Sequence, residues 1–160
     1  MPIAYVGLGA NLGDARGTLR RAIDRLAALP ATRLVGVSRV WRSAPLEASG
    51  PDFFNAAAAL DTSLDAFALL AALQNIEHEF GRQRPYRNAP RTLDLDLLMH
   101  GDEVITTEAL TIPHPRMHLR RFVIGPLADL DMALVIPGLG PISQWLEATR
   151  EQDAWADEMH

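Results

Sequence analysis

The stretch PRTLDLDLLMHG, residues 90–101, is the part of this sequence from which the fold is most directly inferred. Leucines at positions 93, 95 and 97 alternate with Asp94 and Asp96, and a period of two is typical of a β-strand. The leucines are then expected to face a hydrophobic layer and both aspartates the opposite side of the sheet. Aspartate is uncommon in strands and costly to bury. Two carboxylates on one face of a strand that otherwise suits a core therefore need an explanation.

The sequence before this strand alternates between strand and helix patterns. Helices are predicted from hydrophobic periodicity at 15–29 and 64–81, the first with Asp14 as N-cap. Apolar segments with β character predict strands at 3–10, 32–42 and 53–62. With the aspartate strand, the order is β-α-β-β-α-β, which is the ferredoxin-like arrangement.

The residues after the aspartate strand add two helical patterns, at 116–130 and 142–150. We expect these C-terminal helices to cover part of the second face of the sheet. The predicted fold class is therefore α+β, with a ferredoxin-like βαββαβ core and three layers, α/β/α. We expect one domain over residues 1–160, because the chain has the length of a single domain and lacks a linker-like segment. The acidic segment 150–160 is expected to form a loosely packed tail.

Composition excludes several classes of protein. The net charge is −5, which argues against a general binder of nucleic acid or membranes. The chain has no cysteine, which excludes disulfides and thiol catalysis, and its 15 basic residues are all arginine, which excludes a Walker-A lysine. Without a signal-peptide pattern or a long apolar run, we expect a cytoplasmic protein.

Arginines surround the aspartate pair in the sequence. Four of them fall within 82–91, directly before the strand, and Arg116, Arg120 and Arg121 follow it. Arginine is suited to bidentate contact with phosphate, and paired carboxylates with substrate phosphates are typical ligands of Mg²⁺. The pattern favours a phosphoryl-transfer site. An edge strand with two solvated acids remains an alternative at this point.

The glycines of GLGANLG, 7–13, suggest a dinucleotide-binding loop at first sight. Their spacing is one residue too long for that motif, and the acidic residue expected on the next strand is missing. We therefore interpret these glycines as close backbone packing at the end of a strand.

Three further features have both a structural and a functional interpretation. Gln74 and Glu77 share one face of the second predicted helix, where they could be solvated or bind a ligand. His114 lies between two prolines, and a lone histidine of this kind is more often structural than catalytic. Phe53 and Asn55 at the start of a strand are explained by a core, or by stacking and hydrogen bonding to a flat polar heterocycle.

Taken together, the motifs resemble those of the 6-hydroxymethyl-7,8-dihydropterin pyrophosphokinases, a family of folate biosynthesis. The resemblance depends on the joint order of YVGLGANLGD (5–14), RSAPL (42–46), FFNAA (53–57), LQNIEHEFGRQR (73–84), APRTLDLDLLMHG (89–101) and LTIPHPRMHLRRFV (110–123).

The resemblance implies a reaction. Members of this family transfer pyrophosphate from ATP to the hydroxymethyl group of the pterin and release AMP. By resemblance, Asp94 and Asp96 hold two Mg²⁺ ions that bridge the ATP phosphates, while Arg82 and Arg91 neutralise charge on the transferred group. The resemblance also implies a monomer whose partners are ATP and a reduced pterin, with no nucleic acid or membrane partner.

The remaining site residues are likewise implied by the resemblance. The ATP site corresponds to Gln74, Glu77, Arg82, Arg84, Arg91, Leu97, Thr111, His114 and Arg120. The pterin site corresponds to Gly9, Ser43, Pro45, Leu46, Phe53, Asn55, Asp94 and Phe122, with Asn11 beside it. The chain departs from some members at Asn88, Ala109 and Pro115, which concerns nucleotide contacts and closure of the loop 82–91 rather than the aspartate pair.

Two alternatives are kept open. The first is a different metal-dependent transferase that uses a nucleotide and a D-x-D motif. The second is a ferredoxin-like binding module without catalytic activity, in which the arginines bind an anionic partner. Release of AMP separates the first from a pyrophosphokinase, and binding of anions without Mg²⁺ identifies the second.

Overall fold

The computed structural model describes residues 2–44, 51–81 and 93–157, which form strands and helices in the following order. The strands are β1 (Ile3–Ala10), β2 (Thr32–Val37), β3 (Trp41–Ser43), β4 (Phe53–Thr62), β5 (Asp94–His100), β6 (Ile105–Thr106), β7 (Thr111–Ile112), β8 (Val135–Ile136), β9 (Gly140–Pro141) and β10 (Ala154–Ala156). The helices are α1 (Ala15–Ala27), α2 (Ala66–Gly81), α3 (Arg121–Leu130) and α4 (Ile142–Ala148), with a 3-10 turn at Met117–Leu119.

The main sheet is antiparallel and has the order β10-β3-β4-β1-β5, with β2 also paired to β4. If β2 and β3 are counted as one position, this is the strand order of a ferredoxin-like fold, as predicted. The two long predicted helices are confirmed to within two residues at each end. Asp14 is confirmed as the N-cap of α1, since its Oδ1 accepts a hydrogen bond of 3.1 Å from Gly17 N.

The single strand predicted at 32–42 is wrong, because β2 ends at Val37 and β3 begins only at Trp41. Ser38 N donates to Ala57 O at 2.9 Å, and Ala57 N donates to Ser38 Oγ at 2.8 Å. A side-chain hydroxyl thus takes the place of the backbone acceptor that a regular ladder would supply. The chain leaves the ladder there and resumes as β3, beside the first residues of β4.

The first hydrophobic layer lies between the sheet and the helices α1 and α2. Leu93, Leu95 and Leu97 belong to it, with exposed fractions of 2%, 6% and 4%. Burying each leucine contributes about 2 kcal/mol. A shift of register by one residue would expose all three and bury both aspartates, so the alternating pattern fixes which face of β5 carries the carboxylates.

The second layer consists of α3 and α4, packed against the opposite face of the sheet. Contact with Trp41 sets the position of α3, because a Cβ on Gly125 would come within 2.4 Å of the indole ring. Trp41 Nε1 also donates to Asp129 Oδ2 at 2.9 Å. The predicted helix at 116–130 is interrupted by extended backbone at Arg120, from which α3 begins.

The expectation of a loosely packed tail is wrong for the residues up to 157. β10 pairs with β3 as an edge strand, and Ala154 and Asp157 are buried, with 8% and 6% exposed. The prediction failed because it relied on the acidic composition of this segment, which gives no indication that residues 154–156 pair with β3. None of the described helices is both long and apolar enough to cross a membrane.

Candidate active site

The floor of the site is a pair of residue rows that cross three strands. Asp94 on β5 is paired with Gly9 on β1, which is paired with Asn55 on β4. Asp96 and Gly7 form the next row toward the middle of the sheet. Paired residues project from the same face, so both carboxylates border a surface on which β1 has no side chains.

A cavity of about 350 Å³ lies over this floor, on the side of the sheet that carries α3. Its wall on the β4 side includes Phe53, and its wall on the α3 side includes Phe122 and Arg120. The described residues that line it are Gly7, Leu8, Gly9, Ser43, Ala44, Phe53, Asn55, Ala56, Ala57, Asp94, Asp96, Leu98, Arg120, Phe122 and Val123. Two aromatic rings above a flat floor suit a planar ligand.

Asn55 and Ser43 form the polar end of this first cavity. Asn55 is 5% exposed, and its Nδ2 donates to Ser43 Oγ at 3.0 Å, which fixes the orientation of the amide. The amide oxygen lies near Gly9, where a Cβ would come within 3.4 Å of it. A buried and oriented amide can distinguish donors from acceptors on the edge of a ligand.

The aspartate pair offers oxygen ligands on a rigid strand. Residues i and i+2 of a strand are about 7 Å apart, and Asp94 is half-buried whereas Asp96 is exposed. Within the described ranges, no three histidine, aspartate or glutamate side chains are grouped so as to enclose a metal. Two carboxylates that leave most positions to water and phosphate fit Mg²⁺ better than a cation that needs a full set of protein ligands.

A second cavity, of about 250 Å³, opens beyond β5. The described residues that line it are Leu70, Leu95, Asp96, Leu97, Glu108, Ala109, Leu110, Thr111, His114 and Pro115. Among the described residues, Asp96 alone borders both cavities. The side chain of Leu97 is packed in the core, so Leu97 offers a ligand its backbone groups.

His114 borders the second cavity as a neutral ring. Burial lowers the pKa of His114; nearby Asp96 opposes this shift, and Arg120 and Arg116 reinforce it. Its Nδ1 accepts a hydrogen bond of 3.2 Å from Arg116 N. The proton of the neutral ring is therefore on Nε2, which can donate to a ligand oxygen.

The basic cluster that follows β5 in the sequence is divided in the structure. Arg120 lines the first cavity, and its guanidinium lies 5.7 Å from the centroid of the Phe122 ring. Arg121 instead binds the C-terminal segment, through hydrogen bonds to Gln152, Leu146 and Ala154. Of these two arginines the resemblance named only Arg120 as a nucleotide contact, and the hydrogen bonds of Arg121 give it a structural role instead.

Gln74 and Glu77 do not line the second cavity. Glu77 Oε2 accepts a hydrogen bond of 2.9 Å from Leu95 N and so binds the outer edge of β5. Gln74 is exposed on α2. Their nucleotide contacts stay predictions. The other predicted residues Pro45, Leu46, Arg82, Arg84, Asn88 and Arg91 lie outside the described residues.

From their spacing we interpreted the glycines of GLGANLG as close backbone packing, and the resemblance alone placed Gly9 in the pterin site. Gly7 and Gly9 both line the first cavity, so the interpretation from spacing was wrong and the role of Gly7 was missed. The signal was available: G-x-G on β1 repeats the period of D-x-D on β5. No sequence pattern pointed to three other lining residues, because their place in the cavities depends on tertiary contacts. These are Glu108 and Leu110 in the second cavity and Val123 in the first.

Comparisons with known proteins show the family of this chain. Residues 5–132 match the model of the family described as 7,8-dihydro-6-hydroxymethylpterin-pyrophosphokinase (HPPK). A 2-amino-4-hydroxy-6-hydroxymethyldihydropteridine pyrophosphokinase of Pseudomonas aeruginosa is 48% identical over 134 residues, 83% of either chain. One of Haemophilus influenzae is 45% identical over 138 residues, 86% of either chain.

A solved structure shows the same fold at low sequence identity. The crystal structure of Plasmodium falciparum HPPK-DHPS wild type with pteroate superimposes with a TM-score of 0.74 at 13% identity. The match covers 92% of this chain and 44% of that one, so the present chain spans less than half of the Plasmodium protein.

Proposed function

This chain belongs to the 7,8-dihydro-6-hydroxymethylpterin-pyrophosphokinase family, and we propose how its described residues take part in the family's reaction. It is a pyrophosphokinase of folate biosynthesis that transfers pyrophosphate from ATP to the hydroxymethyl group of 6-hydroxymethyl-7,8-dihydropterin and releases AMP. Donor and acceptor must meet in one place for this transfer. The observation that carries the proposal is that Asp96 borders both cavities.

The first cavity is the proposed acceptor site. The pterin ring lies between Phe53 and Phe122, over the floor that the glycines of β1 leave flat. Asn55, held by Ser43, reads the polar edge of the ring through its amide. This orientation directs the hydroxymethyl group toward Asp94 and Asp96, and holding the reacting groups in place removes an entropic part of the barrier.

The second cavity is the proposed nucleotide site. The Nε2–H group of neutral His114 supplies a hydrogen-bond donor there, Thr111 lies beside it, and the backbone of Leu97 lies along the wall. Arg120 contributes positive charge from the acceptor side. Arg82, Arg84 and Arg91 are proposed from sequence to neutralise the transferred group, and Gln74 and Glu77 to contact the nucleotide.

Asp94 and Asp96 are the residues that would hold two Mg²⁺ ions. Their carboxylates supply hard oxygen ligands at a fixed separation, and β5 keeps them on one face. Magnesium bound there would neutralise phosphate charge and orient the phosphates of ATP. The protein itself positions the acceptor and supplies the surrounding positive charge.

The transfer is a displacement at the β-phosphorus of ATP. The hydroxymethyl oxygen forms a bond to this phosphorus, its proton is released, and the bond to the α-phosphate oxygen breaks, so that AMP leaves. Residues that position the two substrates contribute most when the attacking and leaving oxygens are in line. Asp94 in the first cavity and Asp96 at the border of both fit this requirement.

Incubation with ATP, Mg²⁺ and the reduced pterin alcohol tests the proposal. AMP and pterin diphosphate are expected in equal amounts, with no AMP when the pterin alcohol or Mg²⁺ is omitted. Release of ADP, or release of AMP that does not require the pterin, would contradict it.

We also propose that residues 1–160 act as one domain, as a monomer in the cytoplasm. The support is that residues of one chain line both cavities. Analytical ultracentrifugation in the presence of ATP is expected to give a single species of monomer mass.

A further inference from the structure

The C-terminal segment from Gln152 to Asp157, here called the strap, contacts two elements that line the first cavity. One is the β3 wall, formed by Ser43 and Ala44, and the other is the α3 wall, formed by Arg120, Phe122 and Val123. It lies outside residues 5–132, which carry the match to the family model. No residue of the strap lines either cavity, so any effect on ligands must act through the elements that the strap holds.

The strap binds the β3 wall through backbone hydrogen bonds. β10 pairs with β3 so that Ala154 lies opposite Ser43. The ladder continues by one further bond, from Ala44 N to Asp153 O at 3.1 Å. Ser43 and Ala44 both line the cavity, and Ser43 orients Asn55.

The strap binds the α3 wall through Gln152 and Arg121. Gln152 Oε1 accepts a hydrogen bond of 2.9 Å from Arg121 N, and Gln152 Nε2 donates to Leu119 O at 2.8 Å. Arg121 Nε donates in turn to Ala154 O at 3.3 Å. Arg121 stands between Arg120 and Phe122, which both line the cavity.

A third connection holds the end of the strap. Asp157 is buried, its N donates to Val40 O at 2.8 Å, and its carboxylate forms an ion pair with Arg16 of α1. The guanidinium of Arg16 also lies 5.4 Å from the centroid of the Phe54 ring. The strap is thus fixed to α1 as well as to the two walls.

We propose that the strap is a positioning element that sets the separation of the β3 and α3 walls and thereby the affinity for the flat acceptor. This inference rests on the proposed function, which assigns the pterin to the first cavity. A preorganised pair of walls binds a planar ligand at a lower cost in ordering than walls that move. The nucleotide site is spared, because β10 and β5 lie at opposite edges of the sheet.

The Gln152→Ala variant tests the inference, with Glu151→Ala as the matched control. Gln152 is exposed, so the fold is retained, and Glu151 is an exposed neighbour. Loss of the two hydrogen bonds is expected to raise KM for the pterin alcohol about fivefold while kcat and KM for ATP change less than about twofold. An unchanged KM for the pterin, or an equal rise for ATP, would overturn it.

Hydrogen exchange without substrates separates this inference from the proposed function. In Gln152→Ala, the amides of 41–44 and 121–124 are expected to exchange faster, while those of β5 exchange as in the unaltered chain. If the amides of both walls exchange in Gln152→Ala as they do in the unaltered chain, the positioning role of the strap is wrong, whatever the catalytic activity of the variant. Absence of AMP formation by the unaltered chain overturns the proposed function alone.

Discussion

Asp94 lies directly opposite Gly9 in the β1–β5 ladder, so the carboxylate stands beside a residue without a side chain. On its other side Gly9 is paired with Asn55, whose amide oxygen would lie 3.4 Å from a Cβ at position 9. The empty position between a carboxylate and an amide is part of the floor of the acceptor cavity. Filling this position should therefore affect the ligand more than the fold.

The Gly9→Val variant tests this expectation. The branched side chain projects into the cavity and is expected to raise KM for the pterin alcohol more than about tenfold, with the midpoint of thermal unfolding lowered only slightly. Gly9→Ala should give a smaller effect in the same direction. Steady-state kinetics and thermal melts measure both, and a normal KM in Gly9→Val would contradict the placement of the acceptor.

The contact of Gly125 with Trp41 predicts a defect in stability. A Cβ at position 125 would come within 2.4 Å of the indole ring, which is 6% exposed and cannot move freely. Gly125→Ala is expected to lower the free energy of unfolding by about 1–3 kcal/mol. Denaturant titration measures this change.

A second-site change serves as the control for that clash. Trp41→Phe provides space but removes the hydrogen bond from Nε1 to Asp129. The double variant should lose less stability than the sum of the two single variants, since the residues are in contact. If the losses in free energy of unfolding of the two single variants simply add in the double variant, the indole ring is not what prevents a larger side chain at residue 125.

The lowered pKa of His114 predicts a dependence of stability on pH. Because burial disfavours the charged ring, the unfolded chain binds the proton more tightly than the folded chain. This contribution to stability is complete above the ordinary pKa of about 6.5 and is lost as the pH falls through the lowered pKa.

Thermal melts in metal-free buffer, at several pH values between about 5 and 8, measure how the stability of the folded chain depends on the protonation of His114. The unaltered chain should lose more stability on acidification than His114→Asn, whose amide oxygen can replace Nδ1 as the acceptor for Arg116 N. Parallel pH profiles of the two proteins would contradict a neutral ring.

The sequence predicted the part of the site that depends on local pattern. The period of two in β5 gave both the buried face and the carboxylate face, and the order of motifs gave the strand order around it. Phe53 and Asn55 had both a structural and a functional interpretation, and both residues line the first cavity. The alternation in β5 and the individual motifs could be predicted because each depends on residues that are close together in the chain.

Features that depend on tertiary contacts could not be predicted from pattern. One apolar segment is divided into β2 and β3 at Ser38, because the hydroxyl oxygen of Ser38 accepts a hydrogen bond from Ala57 N on β4. Arg121 has the sequence context of a phosphate ligand, yet Gln152 and Ala154 bind it. The acidic tail joins the sheet because β3 offers it a free edge.

Asp96 borders both the donor and the acceptor cavity, and the Asp96→Asn variant tests whether the aspartate pair acts there. Asparagine keeps the shape of the side chain but removes the charge, and exposed Asp102→Asn in the turn after β5 is the matched control. The measurement is Mg²⁺-dependent release of AMP in the presence of ATP and the pterin alcohol. We predict a loss of at least about a hundredfold for Asp96→Asn at unchanged thermal stability, and normal release for Asp102→Asn. Release within about twofold of normal by Asp96→Asn would contradict the account.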